Sequence, residues 1–285
     1  MKLLSNNADF LSDNFHMNRA ERTLPAALTV AGSDSGAGAG IQADMFAFAA
    51  NGVYACCAVA ALTAQNPDEV AMVEEVSPDF LRAQLNCVQS YYAPRAAKTG
   101  MLFSRAIIER AAEFFAAHSE IRLVVDPVMI SSSGAKLLSD GASSAMESAL
   151  IPLAELLTPN LDEAAFLLGG VEISRRNIAD CALRLRDKYG ICVLLKGGHL
   201  PGGRLADVLA ERDGGASVFE GARIGGVNTH GSGCTLSAAL AANFAKGMSV
   251  PDACLGARAY FQSCLKNRIA LKGDCFINHF PYSTK

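Results

Sequence analysis

The sequence predicts an α/β protein in three layers, a mostly parallel central sheet with helices on both faces, and three observations predict it. Short apolar runs bounded by Gly, Asp or Pro alternate from Pro25 onward with longer segments of helical period, the pattern of βαβ units. The 285 residues are 51% hydrophobic and 19% charged, which is enough apolar material for one large core and too much for a disordered chain. No internal repeat and no Pro-, Gly- or Ser-rich linker divides the chain, so one domain is expected over residues 25–285, after a polar, disordered extension over residues 1–24.

In chain order, strands are expected at Ala27–Gly32, Cys57–Leu62, Ala96–Thr99, Leu123–Asp126, Glu155–Thr158 and Cys192–Lys196, each a short apolar run that ends in polar or glycine residues. Helical periodicity predicts helices over Ile41–Ala50, Pro78–Tyr91, Ser104–Ala117, Gly141–Leu150, Leu161–Leu168, Ser174–Tyr189, Cys234–Ala245 and Pro251–Leu265. Asp207–Arg223, with Gly214 and Gly215 between two β-rich runs, reads as an antiparallel hairpin near the sheet edge.

Composition excludes several functions. With 25 Lys+Arg against 28 Asp+Glu and a formal charge of -3, there is no basic field for a nucleic-acid backbone. The longest apolar run, Ala55–Ala64, is interrupted by Thr63 and falls short of the roughly 20 residues that cross a bilayer, so no membrane partner is expected. Nine cysteines form no C-x-x-C pair in a long chain, which predicts free thiols and no structural zinc. Residues 1–24 lack an apolar signal segment, so a cytoplasmic protein is expected.

In open parallel sheets, ligands bind beyond the carboxyl ends of the strands. Polar clusters fall there: Gly32-Ser33-Asp34, Thr63 to Asn66, Lys98 to Met101, Asp126 to Met129, Thr158-Pro159-Asn160 and Lys196 to His199. The strongest motif is Asn228-Thr229-His230-Gly231-Ser232-Gly233-Cys234-Thr235, which runs into a helix of small residues. Glycines around a serine let backbone N–H groups converge, and the helix N-terminus adds partial positive charge, so an anion such as phosphate is favoured. Cys234 falls in the first turn, where the same dipole is expected to bring a thiolate within reach of neutral pH from the usual pKa of about 8.5. The alternative for these residues alone is a tight turn beside a buried structural cysteine.

Gly38 to Ala43 matches G-x-G-x-x-A, but the second strand ends in Gln65 rather than an acid, which argues against a nicotinamide site. These glycines are read instead as a flexible loop over a ligand, with Asp44 beginning the next helix. Asn160 and Glu163 offer hard oxygen ligands suited to magnesium held through water and phosphates. They also fit a helix capping box, and the two readings can coexist.

The segments Ala27 to Asp34, Ala39 to Asp44, Ala61 to Asn66, Lys98 to Leu102, Asp126 to Met129, Thr158 to Asn160, Leu195 to Leu200 and Asn228 to Thr235 closely resemble, in order, the hydroxymethylpyrimidine and phosphomethylpyrimidine kinases of thiamin biosynthesis. These belong to the ribokinase-like superfamily, and the resemblance runs from about Pro25 to Tyr260. It implies the three-layer ribokinase-like fold and an ATP- and Mg2+-dependent kinase acting on an aminopyrimidine. By the same resemblance, Gly231, Ser232, Gly233 and Cys234 form the anion hole for the transferred phosphoryl group, with Cys234 as the base. Asp44, Gln65, Met101 and Val128 line the pyrimidine pocket. Asp126, Asn160 and Glu163 organise magnesium and phosphates, with Asp126 and Glu163 toward the metal, and Lys196 and Thr229 contact phosphate and nucleotide. A homodimer is expected. The chain departs from the family at Ile130-Ser131-Ser132-Ser133-Gly134, where a basic residue is usual, and at Ala37, where glycine is commoner. A pyridoxal or pyridoxine kinase of the same superfamily and a non-catalytic pyrimidine sensor are the alternatives, and Gln65 with Met101 favours the pyrimidine kinase.

Overall fold

The structure is a computed structural model, described here for residues 23–129, 137–139, 141–198, 200 and 202–282. Nine strands form one sheet in the order β3-β2-β1-β4-β5-β6-β7-β8-β9. They are β1 (Ala26–Asp34), β2 (Tyr54–Gln65), β3 (Val70–Glu75), β4 (Ala96–Thr99), β5 (Arg122–Val125), β6 (Leu156–Leu157), β7 (Cys192–Leu195), β8 (Arg204–Ala210) and β9 (Ala216–Ala222). Pairing is parallel from β2 through β1 to β7, and antiparallel where β3 joins β2, β8 joins β7 and β9 joins β8. The hairpin expected over Asp207–Arg223 is therefore β8–β9, at the sheet edge.

Alternation along the strands makes two cores. Ala97, Leu123 and Val193 point to one face, where α2 (Pro78–Tyr92), α3 (Arg105–Ala117) and α6 (Ile178–Tyr189) supply Leu85, Ile107 and Cys181. Ala96, Val124 and Leu194 point to the other, where α1 (Gly40–Ala50), α7 (Ser232–Ala245) and α8 (Val250–Lys266) supply Phe48, Leu240 and Ala257. Two shorter helices, α4 (Ala142–Ala145) and α5 (Leu161–Leu167), flank β6 in sequence, and a small hairpin, β10 (Ile269–Leu271) with β11 (Asp274–Phe276), follows α8. From Thr235 to Ala245 every residue of α7 is buried, because its small side chains lie between sheet and α8. Chain order reverses at β1, which has β2 on one side and β4 on the other, and such a reversal opens a crevice at the carboxyl ends.

Several expectations are corrected. β1 continues through Ser33 to Asp34, because a register shift after Ala31 lets its pairing with β2 carry on to Thr63. The helix expected from Ser174 begins at Ile178, since Asn177 Oδ1 accepts from the Ser174 N–H and ties the preceding residues into a turn. The strand expected over Glu155–Thr158 shortens to Leu156–Leu157, and the helix expected over Gly141–Leu150 is α4 followed by a π-helical turn at Met146–Leu150. Most of the expected N-terminal extension, and the segment Ile130 to Gly134, lie outside the described residues. No described helix is long and apolar enough to cross a membrane, and all nine cysteines are free thiols.

Candidate active site

A cavity of about 930 Å³ runs along the carboxyl edge of the sheet. Gln65, Met101 and Val128 line it at the β1–β4 side, and Leu205, Gly221, Ile224 and Gln262 line it at the β8–β9 side. Asp126, Asn160, Glu163, Lys196 and the Gly231–Cys234 loop stand between them, with Thr229 also on the wall.

The loop's shape follows from its glycines. Gly231 caps α7 in the left-handed region at φ 78°, and a Cβ there would collide with the Gly38 carbonyl oxygen, so glycine is required on both counts. A Cβ on Gly233 would meet Asp126 Oδ2 at 3.2 Å and Lys196 Nζ at 3.5 Å, which places bare backbone against a charged pair. The Ser232 N–H donates to Thr229 O and the Thr235 N–H to Gly231 O. The first-turn N–H groups of α7 have no partner within the helix, so the loop offers the cavity backbone donors and the positive end of a dipole.

Lys196 follows β7 directly, and its Nζ lies 2.8 Å from Asp126 Oδ1. Asp126 also accepts from Thr158 Oγ1 and Ser237 Oγ. Burial works to neutralise both partners, but Lys196 and Lys98 together hold the Asp126 carboxyl below the usual carboxylate range, while Asp126 and Glu163 raise Lys196 above the usual lysine value. Glu163 forms the expected capping box: its N–H donates to Asn160 Oδ1, and its Oε2 accepts from the Asn160 N–H. Burial pushes its carboxyl up to about 7, against the pull of Lys196.

Three expected features are corrected. Asp44 does not line the cavity. It is fully buried, because α1 turns it toward the sheet, where Lys98 Nζ donates to both carboxylate oxygens at 2.7 and 2.8 Å and Thr29 Oγ1 donates at 2.6 Å. Cys234 does line the cavity, but its surroundings do not favour a thiolate near neutrality. Burial pushes the thiol up to about 11, and the Lys98 ammonium and the Gly40 N–H only partly oppose it. Nor is the Gly36–Gly40 loop free of ties: the Asp34 carboxylate accepts from the N–H groups of Gly36 and Ala39, both at 2.8 Å. Gln65, Met101, Val128, Asp126, Asn160, Glu163, Lys196, Thr229 and residues 231–234 are brought together as expected.

Other residues of the cavity wall, and Lys98 outside it, were given no role from the sequence. Arg258 and Gln262, one turn apart on α8, reach the wall beside β9, and Arg258 pairs with Asp207 of β8. Their i,i+4 spacing was the available signal. His230 Nε2 lies 2.9 Å from Asp34 Oδ2. Lys98 is a charged residue in a wholly buried strand, which should have marked it for a partner.

A crevice at the topological switch, a glycine loop at a helix N-terminus and a lysine–carboxylate pair beside it make the kind of site found in phosphotransferases of the α/β class, with backbone and ammonium groups suited to phosphate. The comparisons make this specific. The family model for phosphomethylpyrimidine kinase matches residues 34–278, and the chain belongs to that family. It is 42% identical over 261 residues to a hydroxymethylpyrimidine/phosphomethylpyrimidine kinase from Rhizobium meliloti, covering 89% of this chain and 96% of that one. A phosphomethylpyrimidine kinase structure from Clostridium difficile superposes with a TM-score of 0.74 at 36% identity, over 84% of this chain and 98% of that one. A Staphylococcus aureus pyridoxal kinase in complex with AMP-PCP and pyridoxal gives 0.82 at 32% identity, over 92% and 95%. The three-layer ribokinase-like fold expected from the sequence is the one adopted.

Proposed function

We propose that the protein transfers the γ-phosphoryl group of ATP to the hydroxymethyl oxygen of 4-amino-5-hydroxymethyl-2-methylpyrimidine, and then to the resulting monophosphate, giving the diphosphate used for thiamin. One observation supports this above others: the anion loop, Lys196 and Cys234 share one cavity with Gln65, an amide able to donate and accept toward an aminopyrimidine edge. The acceptor would sit on the Gln65, Met101 and Val128 side and the nucleoside between β9 and α8, which puts the transferred group at the 231–234 loop. There the hydroxymethyl oxygen attacks phosphorus while the bond to the ADP oxygen breaks, and the hydroxyl proton passes to Cys234 Sγ in its thiolate form. Backbone N–H groups and Lys196 gather the phosphoryl charge.

Asp126 and Glu163 suit Mg2+. No ready cage of three His, Cys, Asp or Glu exists among the described residues, and Mg2+ favours one or two carboxylates completed by water and nucleotide phosphates. When bound, it would neutralise phosphate charge. The homodimer is supported by two exposed apolar side chains on β2 and β3, Leu62 and Met72, diagonal neighbours beside the exposed Glu74, and its test is mass in solution for Leu62→Glu against the parent.

Pyridoxal is the second reading, favoured by the TM-score of 0.82 to a pyridoxal kinase. A panel of hydroxymethylpyrimidine, its monophosphate, pyridoxal and pyridoxine with ATP and Mg2+ decides between them. Both pyrimidines should be phosphorylated with kcat/KM well above either vitamer. The reverse order returns the protein to the pyridoxal kinases, and no transfer to any of the four supports a sensor.

A further inference from the structure

Gln65 ends β2 between the loop that follows β1 and the loop that precedes α7, and its side chain is held from two sides. Ser35 Oγ clamps its backbone, accepting from the Gln65 N–H and donating to Gln65 O, both at 2.8 Å. The amide nitrogen is placed 3.2 Å from His230 Nε2, and the amide oxygen 3.3 Å from Thr63 Oγ1. A glutamine amide is pseudo-symmetric, and its two orientations exchange a donor for an acceptor. What surrounds it selects one of them.

The selection begins at Asp34. Its carboxylate is an acceptor only, receives the N–H groups of Gly36 and Ala39, and faces His230 Nε2 at 2.9 Å. Burial opposes the charge, but these donors hold Asp34 below the usual carboxylate range, so the acid stays ionised. His230 Nε2 must then carry a hydrogen, whether or not Nδ1 does. That hydrogen goes first to Asp34 Oδ2, so an amide NH2 beside it would set donor against donor, whereas the amide oxygen can share it. At the other end, the Thr63 hydroxyl already donates its one hydrogen to Ser33 O at 2.9 Å, which leaves Thr63 Oγ1 as an acceptor for the amide NH2. Both ends therefore favour the amide turned over from that placement, with Oε1 toward His230 and Nε2 toward Thr63.

We propose that His230, held by Asp34, is a positioning residue that fixes the handedness of the Gln65 amide, and so the order in which the pocket presents acceptor and donor to the pyrimidine edge. The inference rests on the reading of Gln65 as the group that meets that edge. After its two fixed contacts, Gln65 keeps one lone pair on Oε1 and one hydrogen on Nε2. These match the exocyclic amino group and the adjacent ring nitrogen of a 4-aminopyrimidine. The 4-oxo counterpart, with a carbonyl and a ring N–H, presents the opposite order and would be accepted only if the amide could turn over. Gly38 belongs to the device, since a Cβ there would come within 2.7 Å of His230 Cδ2 and displace the ring.

The test is the ratio of kcat/KM for 4-amino-5-hydroxymethyl-2-methylpyrimidine to that for its 4-oxo analogue, which a general loss of activity leaves unmoved. The parent should prefer the amino compound by about 100-fold, and Gln65→Leu should abolish that preference. His230→Phe should lower the ratio at least about tenfold while Gln65 is intact, as should Thr63→Val, which frees the other end should the histidine variant fold poorly. If Gln65→Leu collapses the ratio and neither other variant does, the lock is overturned and Gln65 stays the reader. If Gln65→Leu leaves the ratio unchanged, the reading of Gln65 falls and the lock with it. Nitrogen-15 NMR of the parent supplies a readout without turnover: the His230 Nε2 should be protonated, and a bare Nε2 at neutral pH overturns the proposal.

Discussion

Lys98–Asp44 and Lys196–Asp126 are built alike, each a lysine at the carboxyl end of a parallel strand with Nζ within 2.8 Å of an aspartate oxygen, and both act on the Cys234 sulfur lying near them. They differ in access. The side chains of the first pair are 0% exposed, while Lys196 keeps 14% of its side-chain surface open to the cavity. Asp44 spends its oxygens on Lys98 and Thr29, whereas Lys196 can turn its charge toward phosphate. On the proposed function, the sealed pair serves the fold and the electrostatics behind the thiol, and the open one serves the ligand. The lesson is that a lysine–aspartate pair near a phosphate site is assigned by what remains of its surface rather than by its distance.

The group between the pairs gives the largest expected effect. Cys234→Ala should slow phosphorylation of the alcohol by about 10²- to 10⁴-fold, the usual loss of a general base. The monophosphate step should suffer less, because a phosphate oxygen with its second pKa near 6 is already ionised at neutral pH. With the parent thiol pushed up to about 11, the alcohol step should climb as pH rises from neutral through the alkaline range, and the monophosphate step should stay flatter. Equal losses in both half-reactions, measured separately, would give Cys234 a positional role.

Next comes Lys98→Met, which strands a buried carboxylate and should cost about 3–5 kcal/mol in denaturant unfolding. Adding Asp44→Leu should return most of that stability, since a matched apolar pair replaces a buried ion pair with little penalty. A single variant that unfolds like the parent breaks the comparison at its sealed end. Lys196→Ala should act chiefly on rate, lowering kcat/KM of both steps by about 10²- to 10³-fold with a smaller unfolding cost than Lys98→Met, because Lys98 still acts on Asp126 and Thr158 still donates to it.

The smallest expected effect is at Glu163→Gln. Glutamine also completes a capping box, so the helix start should survive, while the Mg2+ concentration for half-maximal rate should rise about tenfold. The parent carboxyl sits raised from an ordinary 4.5 to about 7, so the folded form binds the extra proton. Its contribution to stability is full below 4.5 and is lost as pH climbs through 7, and the glutamine variant should lack that fall in pH-dependent unfolding.

The parallel core was legible because Val, Leu and Ala runs end abruptly in glycine or charge. β3 escaped because Val70–Glu75 is largely exposed and lacks the alternation that marks a half-buried strand. The β10–β11 hairpin is likewise mostly exposed. Motif spacing found the anion loop and Lys196, since those residues are contiguous or end a strand. Long-range pairs were invisible: Asp34 and His230 are 196 residues apart, and Lys98 and Asp44 are 54 apart. The Cys234 pKa was misjudged because the helix dipole could be read from the sequence and the burial that outweighs it could not.

The contact between Gly231 and Gly38 bears on remodelling the enzyme toward other alcohols. A library that varies the loop at 36–40 to reshape the proposed acceptor side meets a carbonyl at Gly38 already pressed against Gly231, in the loop proposed to hold the phosphoryl group. Codons 38 and 231 therefore belong outside any randomised set, and Gly40, at φ +60° against Gly32 O, belongs with them. Diversity is better placed at Met101 and Val128, which line the cavity without closing such a contact. New acceptors can be sought there while the phosphate cradle keeps its shape.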